Sequence, residues 1–572
     1  MLFGVYIERG VLDMARVAAL GISDFEKIVE KNVFYIDKTG FIKEWWDSND
    51  EVTLITRPRR FGKTLTLNMV EKFFGVQYAG RQDLFEKYNI WKDENYRNIQ
   101  GTYPVIFLSL ADVKQSSYQS MNDKMKRLIS SLYMRHGYLL ESEKLNNKQK
   151  EDFSYIAERN GTDEEYMEAL LRLSEFMYLH YGKKVIILVD EYDTPMLEAY
   201  VKDYWKEAIE YIRRMFHATF KDNPYLERGL MTGITRITQE SIFSDLNNLR
   251  VVTSTTDMYT KCFGFTEEEV FLALEEFELK DYKEDVKLWY DGFWFGGQKD
   301  IYNPWSIINF LSEKKFKPYW MNTSGNALVG KLIREGDKSV KIEFETLING
   351  GTVITPIDES ITYADLRSDS KTIWSWLLAT GYVKIVESVG DNYEISLTNY
   401  EVKKAFYNLI GKWFADVYSQ YTGFVKMLLD NNVYEMNLFM KRIISQTFSY
   451  FDVGNGSTEN DKTEQFYHGF TLGIIADLNN THLVTSNRES GYGRYDICVE
   501  PFDRSKDGII IEFKLFDSRT EENLEDTTRR ALEQIEEKNY EAELKARGIK
   551  NVRKYGFAFR GKEVLISGAD EM

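Results

Sequence analysis

EVTLITRPRRFGKTLTLNMVEKFFG, residues 51–75, decides how the chain folds. Val52–Thr56 is apolar and largely β-branched and reads as a buried strand. Lys63–Phe74 has helical spacing and is closed by Gly75 at a C-cap position. Between them the loop RPRRFG ends in Gly62-Lys63-Thr64. At such a strand–loop–helix junction the first N–H groups of the helix point at a phosphate. The lysine then reaches the β- and γ-phosphates, and the hydroxyl holds Mg²⁺. The pattern GxxxxGK[ST] would need glycine at position 57, where Arg57 stands. Arg57, Arg59, Arg60 and Lys63 are expected to face a triphosphate, since each can stabilise its charge.

A second stretch, KKVIILVDEYDTP (Lys183–Pro195), fits the first. Five apolar residues form a buried parallel strand that ends in Asp190 and Glu191. Ligands of open α/β sheets bind beyond the carboxyl ends of the strands. Asp190 is therefore placed to hold Mg²⁺ with Thr64, and Glu191 to orient and deprotonate the attacking water. Asp193 reads as an outer neighbour of the metal site or, in preference, as structural. A third strand, Gly229–Gly233, leads to Thr232, Thr235 and Arg236. A polar group there can sense the γ-phosphate. Arg236 reads as a cis arginine, as one facing a neighbouring subunit, or as a plain surface arginine. With Val105–Leu110, these runs alternate with helical stretches from about 20 to 260, which predicts a parallel sheet covered on both faces.

The 572 residues are 43% hydrophobic, 28% charged and 15% aromatic, with only 8 prolines, which excludes collagenous and largely disordered classes. A net charge of −17 leaves no global basic field, so nucleic acid would need a local groove or a metal ion. Two distant cysteines, Cys262 and Cys498, cannot build a disulfide framework or thiolate zinc site. The five histidines lack HxxxH spacing, so any metal is expected on carboxylates, as suits Mg²⁺ or Mn²⁺. No apolar run is long enough for a membrane span and no signal peptide is recognisable. The expected setting is the cytoplasm, without membrane contact.

Residues 265–330 read as helical and aromatic, with loops at Gly296-Gly297 and Asn303-Pro304. Thr372–Ala379 followed by a hairpin suggests a winged-helix-like unit, with further helices to about 451. The polar stretch DVGNGSTENDK, residues 452–462, is the best linker. Beyond it, GYGRYDICVEPFDRSKDGIIIEFKLF (Gly491–Phe516) reads as a hairpin of Tyr495–Glu500 and Gly508–Lys514. Alternation puts Glu512 and Lys514 on one face and Ile509, Ile511 and Phe513 on the other. Asp496 and Glu512 could bridge a divalent cation, with Lys514 positioning or deprotonating a water. Glu464 on a preceding helix could complete the metal shell. Gln534 on the following helix could orient the water or bind phosphate. Between 461 and 572, 17 lysines and arginines face 22 acids, which does not favour tight non-specific duplex binding. Arg488, Arg494, Lys514, Arg529 and Arg530 supply local cations.

Residues 20–330 resemble the AAA-ATPase-like family of bacteria and archaea. The resemblance rests on LGISDFEKI (Leu20–Ile28), VFYIDKTGFI (Val33–Ile42), RPRRFGKT (Arg57–Thr64), VDEYDTP (Val189–Pro195) and SIFSDLNNL (Ser241–Leu249). It continues through YDGFWF (Tyr290–Phe295), YNPWSI (Tyr302–Ile307) and YWMNTSGN (Tyr319–Asn326). The resemblance implies ATP binding through Arg59, Arg60, Gly62, Lys63, Thr64, Asp190 and Arg236, with Tyr35 near the base. Residues 460–565 are similar to the PD-(D/E)XK nuclease superfamily, on GYGRYD, IIIEFK and ALEQI. That similarity implies metal-dependent cleavage of DNA or RNA, and defence against foreign nucleic acid as its setting.

The implied fold is α/β. It comprises a P-loop parallel-sheet ATPase core, a helical and winged-helix-like middle region, and a C-terminal restriction-endonuclease-like α/β domain. The bounds read as 1–19 (N-terminal extension), 20–264 (core), 265–365 (helical lid), 366–451 (winged-helix-like and helical linker) and 460–572 (nuclease-like). The expected function is an ATP-regulated, Mg²⁺-dependent nuclease acting as a homo-oligomer. The alternative is an ATP-dependent switch or partner-binding protein with a non-cleaving C-terminal domain.

Overall fold

The computed structural model describes residues 16–235, 243, 246–321, 329, 332, 338–348, 350–358, 372–406, 421–447, 471, 475, 478, 481–490, 493–560 and 563–569. Two compact units emerge. One comprises Met1–Leu332 with Ile354–Glu401, the other Ile333–Val353 with Val402–Met572.

The first unit is built on a five-stranded sheet of β1 (Val52–Thr56), β2 (Val105–Ser109), β3 (Val185–Asp190), β4 (Leu226–Gly233) and β5 (Leu249–Val252). The order is β2-β3-β4-β1-β5, and neighbouring strands are parallel. β1 and β3 are buried along their whole length, as strands covered on both faces must be. The helix Lys63–Phe74 packs Leu67, Met69, Val70, Phe73 and Phe74 into one core with Ile55, Ile186, Leu188 and Leu230. β4 lies between β1 and β3, so the carboxyl ends of the strands carrying Thr56, Thr232 and Asp190 stand side by side.

The stretch after 264 carries the helices its sequence suggests, Glu267–Glu276, Lys283–Tyr290 and Pro304–Glu313, and also short strands that the helical reading does not include. β6 (Phe265–Thr266), β7 (Phe293–Phe295) and β8 (Gln298–Tyr302) form a small antiparallel sheet, and Gly296-Gly297 is the turn between β7 and β8. These strands are two to five residues long, too short for a period of two to show in sequence. Further on, β9 (Val353–Thr355), β10 (Val383–Val389) and β11 (Asn392–Leu397) form another sheet beside the helix Thr372–Thr380.

The second unit carries a five-stranded sheet in sequential order. Its strands are β12 (His482–Ser490), β13 (Gly493–Pro501), β14 (Gly508–Leu515), β15 (Val552–Arg560) and β16 (Glu563–Gly568). All pairs are antiparallel except β14 with β15, whose parallel pairing is bridged by the helix Leu524–Glu537. One sheet face buries Ile497, Val499, Ile509, Ile511 and Phe513. The other buries Tyr495, Cys498 and Ile510 against Leu532 and Ile535 of that helix.

Both cysteines are buried and free. Among the described residues no helix is long and apolar enough to cross a membrane.

Candidate functional sites

At the end of β1 the chain turns through Arg57–Phe61 and enters its helix at Gly62, whose φ of 82° is left-handed and suits glycine. Lys63 is 6% exposed. Its Nζ donates to the carbonyl oxygens of Arg57 and Pro58, each at 2.8 Å. Burial pulls its ammonium pKa down to about 8, against the pull of Glu191, Asp193 and Asp190 nearby. A buried ammonium held only by carbonyls is a charge awaiting an anion.

Thr64 Oγ1 donates to Asp190 Oδ2 at 2.8 Å, and Thr232 Oγ1 to Asp190 Oδ1 at 2.8 Å. Ser109 Oγ stands 3.5 Å from the same Oδ2. Strands β2, β4 and the phosphate loop thus each present a hydroxyl to one fully buried carboxylate. Burial raises the Asp190 pKa. Thr64 and Asp190, predicted from segments 126 residues apart, meet directly. Sequence reasoning missed Ser109, because only the strand order places β2 beside β3.

Glu191 follows with φ 52°, left-handed and strained for a side-chain-bearing residue. Its Oε2 accepts from Thr194 Oγ1 at 3.0 Å, which orients the carboxylate. Asp193 is structural, as its sequence context suggests. Its Oδ2 accepts the N–H groups of Ile234 (2.8 Å) and Thr235 (3.0 Å), tying the exit of β4 to the metal-strand loop.

Arg57 requires a correction. Its side chain does not face a phosphate: it is fully buried, donates to the carbonyls of Thr56 (2.9 Å) and Thr253 (2.7 Å), and lies 4.5 Å from the Phe295 ring. Its guanidinium thus braces the loop from behind, using aromatic faces and carbonyls that no local pattern reveals. Arg59 is partly exposed and close enough to depress the Lys63 pKa. The Arg60 guanidinium lies 4.3 Å from the Trp305 ring. The Tyr35 hydroxyl contacts Met69 Sδ at 3.5 Å on the phosphate-loop helix and accepts from Lys38 N at 3.2 Å. Arg236 lies outside the described residues.

In the C-terminal sheet the β13–β14 ladder runs from Val499↔Ile509 to Ile497↔Ile511 and stops. Where Asp496 would next face Glu512, the strands part. The carboxylate of Asp496 takes the place of the missing ladder bond: its Oδ2 accepts the Phe513 N–H at 2.7 Å. Glu512 is 1% exposed. Its Oε1 accepts from Lys514 Nζ at 2.9 Å and from Gln534 Nε2. Its Oε2 is buried and makes no hydrogen bond of good geometry, although the Asp496 N–H stands close enough to lower the carboxyl pKa somewhat. Burial, and then the charge of Asp496, push the Glu512 pKa up to about 8.

Gln534 reaches Glu512 because Gly556, register partner of Glu512 on β15, has no side chain. A Cβ there would lie 2.6 Å from the Thr528 carbonyl of the overlying helix. Asn523 caps that helix by accepting from Asp526 N at 3.0 Å. Tyr540, 2% exposed, contacts Gln534 Nε2 through its hydroxyl at 3.1 Å. Sequence reasoning did not single out Tyr540, which lies six residues beyond Gln534 and meets it only through the fold.

The two-carboxylate set fits a divalent cation. An orphaned buried oxygen beside a second carboxylate is costly unless a proton or a cation neutralises the pair, and a divalent cation can replace the proton. Among the described residues no group of three or more His, Cys, Asp or Glu is arranged to hold a metal. Glu464, the expected third acid, lies outside them, as do the side chains of Arg488 and Arg494. Arg529 pairs with Asp526 at 3.2 Å, and Arg530 with Glu521 at 2.9 Å, so neighbouring acids offset these two cations.

Comparison with known proteins agrees with this geometry. Residues 19–243 match the family model of a predicted AAA-ATPase, and residues 462–568 match that of the PD-(D/E)XK nuclease superfamily. A protein of Azotobacter chroococcum mcd 1, described as an uncharacterized protein in the vnfD 5' region, is 24% identical over 387 residues, covering 67% of this chain and 68% of that protein.

Proposed function

We propose that this chain, an AAA-ATPase-like domain joined to a C-terminal PD-(D/E)XK nuclease superfamily domain, is an ATP-dependent, metal-dependent nuclease. Nucleotide state would set the output of the C-terminal site. The observation that carries the nuclease reading is the buried, half-satisfied carboxylate of Glu512, flanked by Asp496, Lys514 and Gln534.

In the first unit, Lys63 would exchange its two carbonyl partners for β- and γ-phosphate oxygens. Thr64 and Asp190 would hold Mg²⁺. Glu191, fixed by Thr194, would orient the attacking water and take its proton. Thr232 would report the γ-phosphate through its bond to Asp190.

In the second unit, Asp496 and Glu512 would hold Mg²⁺ or Mn²⁺. When bound, that ion supplies charge stabilisation for a phosphodiester and acidifies a water. Lys514 would position the water and the scissile phosphate. Gln534 would keep Glu512 Oε1 oriented while Oε2 turns to the metal. The acidic balance of residues 461–572 argues for a substrate brought by the assembled protein rather than by tight intrinsic affinity.

The test is cleavage of single- and double-stranded DNA and RNA with Mn²⁺, with and without ATP, by wild type and Lys63→Ala. Regulation by nucleotide predicts ATP-stimulated cleavage that Lys63→Ala lowers without changing Mn²⁺ affinity. Equal cleavage in all four conditions would remove the regulatory half of the proposal.

A further inference from the structure

Two motifs, YNPWSI and YWMNTSGN, take no part in the chemistry described above. Asn303 of the first and Trp320 of the second converge on the phosphate loop. Arg59 carbonyl oxygen accepts from Asn303 Nδ2 at 3.2 Å and from Trp320 Nε1 at 3.1 Å. We infer that Asn303 and Trp320 are positioning residues of the nucleotide site, holding the loop in the shape that receives a triphosphate. This rests on the ATP-binding reading of that loop.

A loop that turns its N–H groups inward toward phosphates must turn carbonyls elsewhere, and each carbonyl removed from water needs a donor. Here the carbonyls of Arg57 and Pro58 are taken by Lys63 Nζ, and the next one, Arg59, by Asn303 and Trp320. Lys63 must leave its carbonyls to reach a phosphate, whereas the Arg59 clamp can persist through binding. The loop also carries local strain. Arg60 is left-handed at φ 65°. Donors from outside offset that strain.

The donors are themselves braced. Asn303 Oδ1 caps the helix Pro304–Glu313 by accepting from Trp305 N (2.9 Å) and Ser306 N (3.3 Å), which aims Nδ2 at the loop. Trp305, two residues on, lies beneath the Arg60 guanidinium. The Trp320 N–H donates to Glu401 Oε1 at 2.5 Å, and Ser306 Oγ to Glu401 Oε2 at 2.7 Å. Glu401 is 1% exposed, so one buried carboxylate ties both donor segments together. All these residues belong to the first compact unit.

Two substitutions isolate the donors. Asn303→Ser keeps a helix-capping oxygen and removes the Nδ2 donor without adding charge; Trp320→Phe keeps a ring and removes Nε1–H. ATP dissociation constants are measured by calorimetry on the full chain, with circular dichroism as the folding control. Each variant is expected to bind ATP about five- to tenfold more weakly, the effect of one hydrogen bond. Turnover at saturating ATP stays within about twofold, a split that general loss of structure does not produce. Amide exchange of the 57–62 segment should quicken while that of β3 does not. If Asn303→Ser does not fold, Trp320→Phe carries the test alone. Wild-type affinity in the folded variants, beside a Lys63→Ala control whose ATP binding is weakened about 10²-fold or more, overturns the clamp and leaves the nucleotide site standing. A wild type that binds no ATP overturns both.

Discussion

Lys63 and Glu512 are the same device with opposite sign. Each is an ionisable group in a nearly dry site, and burial brings each pKa to about 8, down for the ammonium and up for the carboxyl. They differ in how the charge is held meanwhile. Lys63 rests on two carbonyls that it can release. Glu512 has one oxygen clamped by Lys514 and Gln534 and the other bare. On the function proposed above, the first would receive a polyanion and the second a cation. The contrast teaches that a buried charge with an incomplete set of partners describes its ligand by the sign and number of what is missing.

Substitutions around each buried group should break ligand binding or chemistry at that group's own site first. The largest effect is expected in the second unit, where Asp496→Ala and Lys514→Ala should each abolish nucleic-acid cleavage in a Mn²⁺ assay. They should differ in calorimetry: Asp496→Ala weakens Mn²⁺ binding, whereas Lys514→Ala retains it. ATP binding should survive in both, since neither residue belongs to the unit that carries Lys63. Next, Lys63→Ala should weaken ATP binding by about 10²-fold or more, the cost of removing a charge-assisted hydrogen bond at low dielectric. Retained affinity would remove the phosphate-loop assignment.

Glu191→Gln sharpens the first half. It keeps size and left-handed backbone but neutralises the proposed base. ATP should still bind while turnover falls by about 10²-fold, in the range of general-base contributions. Unchanged turnover would show that another group takes the proton.

The mildest prediction sets the two sites against each other in pH. Phosphates bind the charged form of Lys63, so ATP affinity should fall as pH rises above about 8. The cation binds the ionised form of Glu512, so Mn²⁺ affinity should rise as pH approaches 8 from below and then level off. Each limb approaches about tenfold per pH unit. Calorimetry in two buffers at pH 7 should also record proton release on Mn²⁺ binding. Trends of the same sign at both sites would contradict the account.

Much of this was legible in sequence because it is local. Val52–Thr56, Lys63–Thr64 and Val185–Glu191 are runs whose period and end residues carry their meaning. The alternation of Glu512, Phe513 and Lys514 did the same for the C-terminal hairpin. What escaped depends on who stands next to whom. Ser109 reaches Asp190 only because β2 lies beside β3. Arg57, read as a phosphate cation, turns back onto Thr253 and Phe295, 196 and 238 residues further along the chain. Asn303 and Trp320 stand in recognisable motifs, yet their partner is a carbonyl oxygen, and a backbone acceptor leaves no mark in sequence. Gly556 was silent for a related reason, since its use is the space it leaves for the helix bearing Gln534.

The most direct test is a single-turnover cleavage assay with Mn²⁺ and ATP, wild type against Lys514→Ala, on single- and double-stranded DNA and RNA. The account predicts that wild type cuts at least one of these substrates, that chelation stops it, and that Lys514→Ala cuts none while still binding both Mn²⁺ and ATP. Wild-type protein that binds no Mn²⁺ and cuts none of the four substrates in the presence of ATP would contradict it, and would favour a nucleotide-driven switch with a non-cleaving C-terminal domain.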